Sequence, residues 1–563
     1  MVSGLFGTAG APFEDAGRRA AEVANRFHLT LVLAAVIGVS TGVAVAGFDA
    51  ALQPTLEYVL RQPLIVVALV PPLGLLAAGL VGVRWSGGDT ATTDAYVRAY
   101  HQRGGRLGLR SLWNKVLGSA LTLGTGNTFG FEGPAILIGG TIGSTVDERF
   151  ASRLRRDDAK VLMVCGAAAG VAAVFKAPLT GVIFALEVPY RSDLARRALL
   201  PTLVAAGSAY VTFVALIGTE PLLSTGGSAP FDLRDLGGGL ILGLICGLLA
   251  RTGAVAIGRA KTLPGTRLAR VLSAAVALAL LAPIAHYWFG APFHLGPSYD
   301  TIAWATDPER TMPVLVGLFA LRALATWLGV AAGGMGGLFI PLVTQGAIVG
   351  AICQQIVDAP NSRLFPTVGI AAFLGAGYRT PLAGVAFVAE ATGQPGFLVP
   401  ALLAAAAAQL TMGRRSFSPY QRTERAPDVE PLTRLAVAEI MSPNADTVGA
   451  DVALDEVLVS MIRQNRRWVP VIDDGAYLGL IAVADIAQIP VTDWPSVTAR
   501  SITRTDVVPA RPDESVVVVA DRLRSSGSEA IAVTDDGRVV GVVTLRDLAN
   551  VEVLLDRLTD DTT

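Results

Sequence analysis

The sequence predicts an all-α polytopic membrane protein carrying a small α/β module near its C-terminal end. Three observations predict it. Of the 563 residues, 52% are hydrophobic and only 16% charged, where a soluble domain carries about 25% charged residues. The charges thin out between about residues 30 and 410 and thicken after Arg414. From Trp113 to Tyr190, and again from Gly333 to Gly393, the apolar segments are short and interrupted by Gly, Pro and charge. Helices broken in this way are tolerated at membrane depth only where they are buried in protein or line a water-filled cavity.

The elements follow in order. Residues 1–28 mix acids, arginines and apolar residues, and Ala16 to Phe27 can form an amphipathic helix. Glu14 and Asp15 precede any apolar core, unlike a secretory signal. This segment reads as a cytoplasmic lead-in. Leu29 to Leu52 and Leu64 to Val83 are long enough to span a bilayer. A polar run, Ser86 to Asp94, then leads to an aqueous-facing stretch, Tyr96 to Arg110. After the first broken region come the apolar runs Leu199 to Ile217, Leu236 to Ala256, Leu272 to Phe289 and Val314 to Ala331, and after the second a last run, Leu398 to Met412. Cys165, Cys246 and Cys353 lie in apolar runs without metal-like spacing, and the four histidines are scattered. No metal site, nucleophile or acid–base cluster stands out, so an enzyme is not expected. The net charge of −1 gives no reason to expect a nucleic-acid partner.

The two broken regions are copies of one pattern. With Pro134 set against Pro341, Gly130 falls on Gly337, Gly139 on Gly346 and Gly143 on Gly350. Ala177-Pro178-Leu179-Thr180-Gly181-Val182 then matches Thr380-Pro381-Leu382-Ala383-Gly384-Val385, with Glu187 and Glu390 both nine residues after their prolines. The halves run from about 29 to 218 and from about 234 to 412. In the first copy, Gly130-Phe131-Glu132-Gly133-Pro134 puts an acid at a helix start. The first N–H groups of a helix are unpaired and, with the helix dipole, form an anion site. Glu132 therefore either fills that site or swings aside for a mobile anion, which makes it a candidate gate.

Gly130-Phe131-Glu132-Gly133-Pro134 resembles the G-[KR]-E-G-P motif of the CLC chloride channel and transporter family, and Gly337-Leu338-Phe339-Ile340-Pro341 resembles that family's G-x-F-x-P motif. The resemblance covers about 29–422. It implies an inverted-repeat, broken-helix CLC-type fold of about eighteen helices, working as a homodimer with an anion pathway in each subunit. By the same resemblance Glu132 is the gating glutamate. The backbone N–H groups of Leu338 and Phe339, and those beside Glu132 at Gly130, Phe131 and Gly133, are anion ligands. Three departures stand out. Phe131 replaces the usual cation. The G-S-G-I-P serine has no counterpart, and Thr90, Ala91 or Thr92 stands in its place. The family's inner tyrosine falls on either Ser418 or Tyr420. The proton-coupled members often carry two adjacent acids where this chain has Glu187-Val188. Valine carries no proton, so the sequence leans towards a passive channel or an altered proton route. Glu187 and Glu132 remain the proton-pathway candidates, with a purely structural role open for Glu187 and for Glu390.

After a linker at 423–434, two copies of an α/β unit occupy 435–489 and 497–555. Each has an Asp-Gly hairpin signal, at Asp474-Gly475 and Asp536-Gly537. They resemble a tandem pair of CBS domains through the Met441-Ser442-Pro443 opening and the closing acids Asp485 and Asp547. Such pairs often bind an adenosyl nucleotide; the resemblance points to Thr544 and Asp547, with Asp485 in the less complete first copy. No cofactor is required, and a dimerisation module is the other reading of the tail. The expectation is chloride transport in the plasma (inner) membrane, with a proton-coupled antiporter as the alternative and both terminal regions cytoplasmic. A nucleotide-sensing protein merely anchored by its membrane part is a third reading.

Overall fold

The computed structural model describes residues 11–85, 92–150, 158–220, 222–223, 232–263, 266–297, 299–357, 363–423, 435–443, 445–464, 466–526 and 528–548. The chain divides into two compact units, Met1–Arg425 and Ala426–Thr563.

The first unit repeats one series of helices. The first half contains α1 (Ala11–Leu60), α2 (Leu64–Trp85), α3 (Thr93–Gln102), α4 (Leu109–Leu123), α5 (Glu132–Phe150), α6 (Asp158–Phe175), α7 (Pro178–Glu187) and α8 (Leu199–Ile217). The second contains α9 (Leu233–Lys261), α10 (Arg267–Phe289), α11 (Tyr299–Ala305), α12 (Met312–Ala331), α13 (Phe339–Val357), α14 (Leu364–Gly377), α15 (Pro381–Thr392) and α16 (Leu398–Met412). A short 3-10 turn precedes α8 and another precedes α16, at Arg196–Ala198 and Pro395–Phe397. The amphipathic stretch expected before residue 28 is continuous with α1.

Eight helices among the described residues are long and apolar enough to cross a membrane. Most keep an outward apolar face: Arg196–Ile217 is only 33% buried, whereas Phe339–Val357 is 72% buried and forms the centre. Exposed Leu, Ile and Val side chains on α1, α2, α8, α9 and α10 make an apolar belt that suits lipid.

The repeated glycines explain how the broken helices pack. A Cβ on Gly139 would strike the Gly166 carbonyl, and one on Gly143 the Leu162 carbonyl, so α5 and α6 touch backbone to backbone. Their repeat mates do the same on α13 and α14: Gly346 abuts the Gly369 carbonyl and Gly350 the Phe365 carbonyl. Small residues at helix contacts are how bundles in lipid approach closely.

Among its described residues the second unit holds two three-stranded sheets, in the orders β2 (Val448–Gly449), β3 (Trp468–Asp473), β4 (Ala476–Ala482) and β1 (Ser442–Pro443), β6 (Arg538–Thr544), β5 (Ala530–Asp535). β3 (Trp468–Asp473) and β4 (Ala476–Ala482) form one antiparallel hairpin, and β5 (Ala530–Asp535) and β6 (Arg538–Thr544) the other. Both turns are Asp-Gly with positive φ at each residue: 47° and 82° at Asp474 and Gly475, 46° and 80° at Asp536 and Gly537. That is the type I′ geometry whose twist matches the strands it joins. β2 (Val448–Gly449) runs parallel to β3, and β1 (Ser442–Pro443), from the first copy, pairs with β6 of the second. Leu480, Ala530, Ala532 and Val542 bury an apolar seam between the copies.

Gly346→Val should therefore lower stability by about 1–3 kcal/mol through overpacking, seen as a lower thermal midpoint in detergent. Gly396→Ala, at a position with no atoms within 4 Å of an added Cβ, should leave the midpoint unchanged.

Candidate functional site

The loops before α5 and α13 meet at the centre of the first unit. Gly130 N–H donates to the Gly337 carbonyl and Gly337 N–H to the Gly130 carbonyl, each at 2.9 Å. Each glycine thus pairs with its own repeat mate, which puts both on the axis relating the halves. Asn127 Nδ2 ties the first loop to the Pro71 carbonyl at 3.0 Å. Phe129 lies against Gly329, Gly334 and Gly336, where added side chains would collide with its ring.

Glu132 is fully buried at the first residue of α5. Its Oε1 accepts the Phe339 N–H at 2.6 Å, from the first residue of α13. The carboxylate therefore reaches across to the anion site of the opposing helix, with its own backbone N–H also beside it. The Ile340 N–H lies beside it, and Oε2 has no hydrogen-bond partner. Gly130 and Gly337 flank the carboxylate so closely that a Cβ on either would overlap it. Phe339 sits among Phe175, Phe184 and Phe387, with ring centroids 4.4, 5.3 and 5.1 Å away. These rings keep water from the helix end and so strengthen its pull on a negative charge. Phe131 is buried and packs edge-on to Phe48, so its position is apolar. Gly133 leaves room for the Thr92 hydroxyl.

Just beyond Glu132 lies a cavity of about 670 Å³, lined by Thr92, Thr93, Asp94, Leu338, Tyr378 and Phe417, among others. Thr90 lies outside the described residues. Thr92 donates its hydroxyl to the Gly336 carbonyl at 2.8 Å, which joins the loops and commits that proton. Ser418 is buried with its hydroxyl unpartnered. Tyr420 is half-exposed at the cavity wall, its ring 4.3 Å beneath the Arg98 guanidinium.

Tyr378, which sequence reasoning missed, is fully buried, and the Leu338 N–H points at its hydroxyl. The Thr93 hydroxyl lies beside it, short of hydrogen-bonding geometry and without a partner of its own. The signal was available in the repeat. Setting Pro178 against Pro381 puts Tyr378 on Phe175, so one ring of a matched pair carries a hydroxyl.

Glu187 and Glu390 exchange contacts. Glu187 accepts the N–H groups of Leu382 and Ala383 at 3.3 and 2.9 Å, at the start of α15. Glu390 accepts those of Leu179 and Thr180 at 2.8 and 2.7 Å, and the Thr180 hydroxyl at 2.6 Å, at the start of α7. Each acid caps its mate's helix, an isologous exchange that demonstrates the pseudo-two-fold axis. Val188 is fully buried. Arg322, also inside the membrane unit, is satisfied by the carbonyls of Phe293, Leu295 and Gly296 at 2.5–3.1 Å, and shapes a loop.

In the second unit, Thr544 and Asp547 bond each other: the Thr544 N–H and hydroxyl reach Asp547 Oδ2 at 2.9 and 2.7 Å. Asp485 accepts the Ala482 N–H at 2.8 Å. Both acids act as local helix caps in this structure.

Duplicated broken helices, an on-axis pair of helix starts and a carboxylate held in an anion site define a membrane protein that moves anions. A family model described as voltage gated chloride channel matches residues 74–413, and a CBS domain model matches 437–491 and 499–553. The chain belongs to the CLC family, the voltage gated chloride channels, and carries two CBS domains. Many solved structures share the fold, three of them as follows. A CLC-type fluoride/proton antiporter is 21% identical with a TM-score of 0.62, over 70% of this chain and 98% of its own. A slow cyanobacterial Cl−/H+ antiporter is 24% identical with a TM-score of 0.60, over 69% and 95%. A eukaryotic CLC transporter is 20% identical with a TM-score of 0.60, over 93% and 98%.

Glu390→Ala should cost about 1–3 kcal/mol, because it strips three hydrogen bonds from the start of α7. The thermal midpoint should fall while the anion selectivity of the remaining flux stays unchanged.

Proposed function

We propose that this protein exchanges chloride for protons, with Glu132 as both gate and proton carrier. The observation that carries the reading is the Glu132 carboxylate bound at the start of α13, with its second oxygen buried and unpartnered. An ionised carboxylate there competes with chloride for the same N–H groups. Protonation removes the charge and gives Oε2 a hydrogen to donate. Chloride then takes the Phe339 and Ile340 amides, and a second chloride position lies between the Leu338 N–H and the hydroxyls of Tyr378 and Thr93. The antiporters that share the fold support exchange over passive conduction, towards which Val188 alone leans.

The proposal also includes a homodimer in the plasma (inner) membrane, with the N-terminal segment and the CBS tail cytoplasmic. The cavity wall contains Phe417 and Tyr420, shortly before the chain enters the tail, which, with a cytoplasmic tail, supports reading that cavity as the cytoplasmic approach. An adenosyl ligand at Thr544, Asp547 and Asp485 would regulate flux, and would have to open the Thr544–Asp547 bond to reach both side chains.

The test is purified protein in liposomes with chloride and pH read together. A chloride gradient should drive protons uphill, and chloride flux should rise as pH falls, because the acid form of Glu132 is the open one. Glu132→Gln should abolish proton movement and leave a pH-independent chloride flux. Chloride flux without proton movement in the unaltered protein would establish a channel instead. Removing 426–563 should leave flux in place, which would separate transport from regulation.

A further inference from the structure

The cavity is a basic approach, as an anion path should be: Arg98, Lys261 and Arg270 all line it. Asp94 is the exception. It lines the same cavity in the first turn of α3, with its side chain only 6% exposed. A carboxylate repels the anion this route serves, so its presence asks for a reason. Its Oδ2 meets Lys261 Nζ at 2.6 Å, at the last residue of α9. Lys261 also reaches the Phe417 carbonyl at 3.4 Å. The pair therefore bridges the halves, and a purely structural latch is the competing explanation.

Tyr378 connects this acid to the gate. Its hydroxyl lies within electrostatic reach of both Glu132 and Asp94, and it faces the cavity with Thr93 and Leu338. The titratable groups that share the cavity wall with Asp94 are Lys261 from α9, Arg270 from α10, Tyr378 from the end of α14, Tyr420 from the following segment and Arg98 from its own helix, and Lys261 is the one in contact with it. Glu187 is closed to this traffic, since both its oxygens are held by the start of α15. We propose that Asp94 is the cytoplasmic proton acceptor of the exchange cycle, reached from Glu132 through the Tyr378 hydroxyl, so that proton and anion share the inner route.

The step balances without a further reactant. Glu132 gives its carboxyl proton towards the Tyr378 oxygen as the phenol passes its own proton on to Asp94. The phenol ends neutral, Glu132 ends as carboxylate and Asp94 as acid, and cavity water then takes the proton. A cavity of this size, with Asp94, Arg98 and Lys261 on its wall, has room for water to bridge a gap in the relay.

This inference rests on the exchange reading, and the experiment separates the two. Proton and chloride movements are measured together in liposomes for the full-length protein, Asp94→Asn, Tyr378→Phe and Lys261→Met. Coupled movement in the unaltered protein is the condition for both proposals, and its absence overturns both. With coupling present, Asp94→Asn should lower the protons moved per chloride by about tenfold or more, with chloride flux kept or raised. Tyr378→Phe should lower the same ratio. Lys261→Met breaks the latch and leaves the acid, so its ratio should stay near that of the unaltered protein. An unchanged ratio in Asp94→Asn, or an equal loss in Lys261→Met, overturns the role of Asp94 and leaves exchange through Glu132 standing. If Asp94→Asn fails to fold, an unchanged ratio in Tyr378→Phe overturns the relay.

Discussion

Everything in the membrane unit depends on one hydrogen bond, from the Phe339 N–H to Glu132 Oε1 at 2.6 Å. It sets the unpaired amides of one buried helix start against a carboxylate from the opposing half. An isolated acid at membrane depth costs roughly 2.5–3.5 kcal/mol on insertion scales. The helix dipole and charge-assisted bonds to amides offset much of that cost. In the proposed exchange, a proton or a mobile anion displaces the carboxylate from that site. Were the acid fully satisfied, it would be a cap, like Glu187 and Glu390, whose oxygens all have partners. The unpartnered Oε2 of Glu132 marks the difference.

The geometry around that bond is the reason for the glycines. Gly130 and Gly337 let two loops approach across the pseudo-two-fold axis, and also leave room for the carboxylate between them. The helices behind the loops must then be short and must touch through backbone, which Gly139, Gly143, Gly346 and Gly350 permit. The interruptions that make these segments poor simple spans are thus the same features that bring two helix starts together in the membrane. Function and foldability compete at few positions here, because one arrangement of small residues serves both.

Much of this was legible in the sequence, because glycine and proline leave strong local marks. The offset that sets Pro134 on Pro341 also sets Glu132 on Phe339, and these two residues form the central bond. The Asp-Gly turns of the tail were equally plain, since few residues accept positive φ at consecutive positions. What sequence did not reveal were contacts made by ordinary residues from distant places. Thr92 reads as a hydroxyl free for an anion, yet it is spent on the Gly336 carbonyl. Tyr378 sits in an apolar run and reads as core until its hydroxyl is found facing the Leu338 N–H. Likewise, nothing in the spacing of Glu187 tells a proton carrier from a cap; only the two amides of α15 do.

The tyrosine also bears on how anion and proton can share space. A backbone N–H can only donate, so a path lined by N–H groups alone holds anions and relays no protons. A hydroxyl donates and accepts. With the Leu338 N–H pointing at its hydroxyl and Asp94 on the same cavity wall, Tyr378 would, in the proposed relay, donate to a chloride in one step and pass a proton in another, but not both at once. Mutual exclusion at a single hydroxyl would couple the two flows without a large motion, since each species must wait for the other to leave. In the proposed exchange Glu132 would impose the same alternation one step further along, giving two successive points at which charge and proton exclude each other.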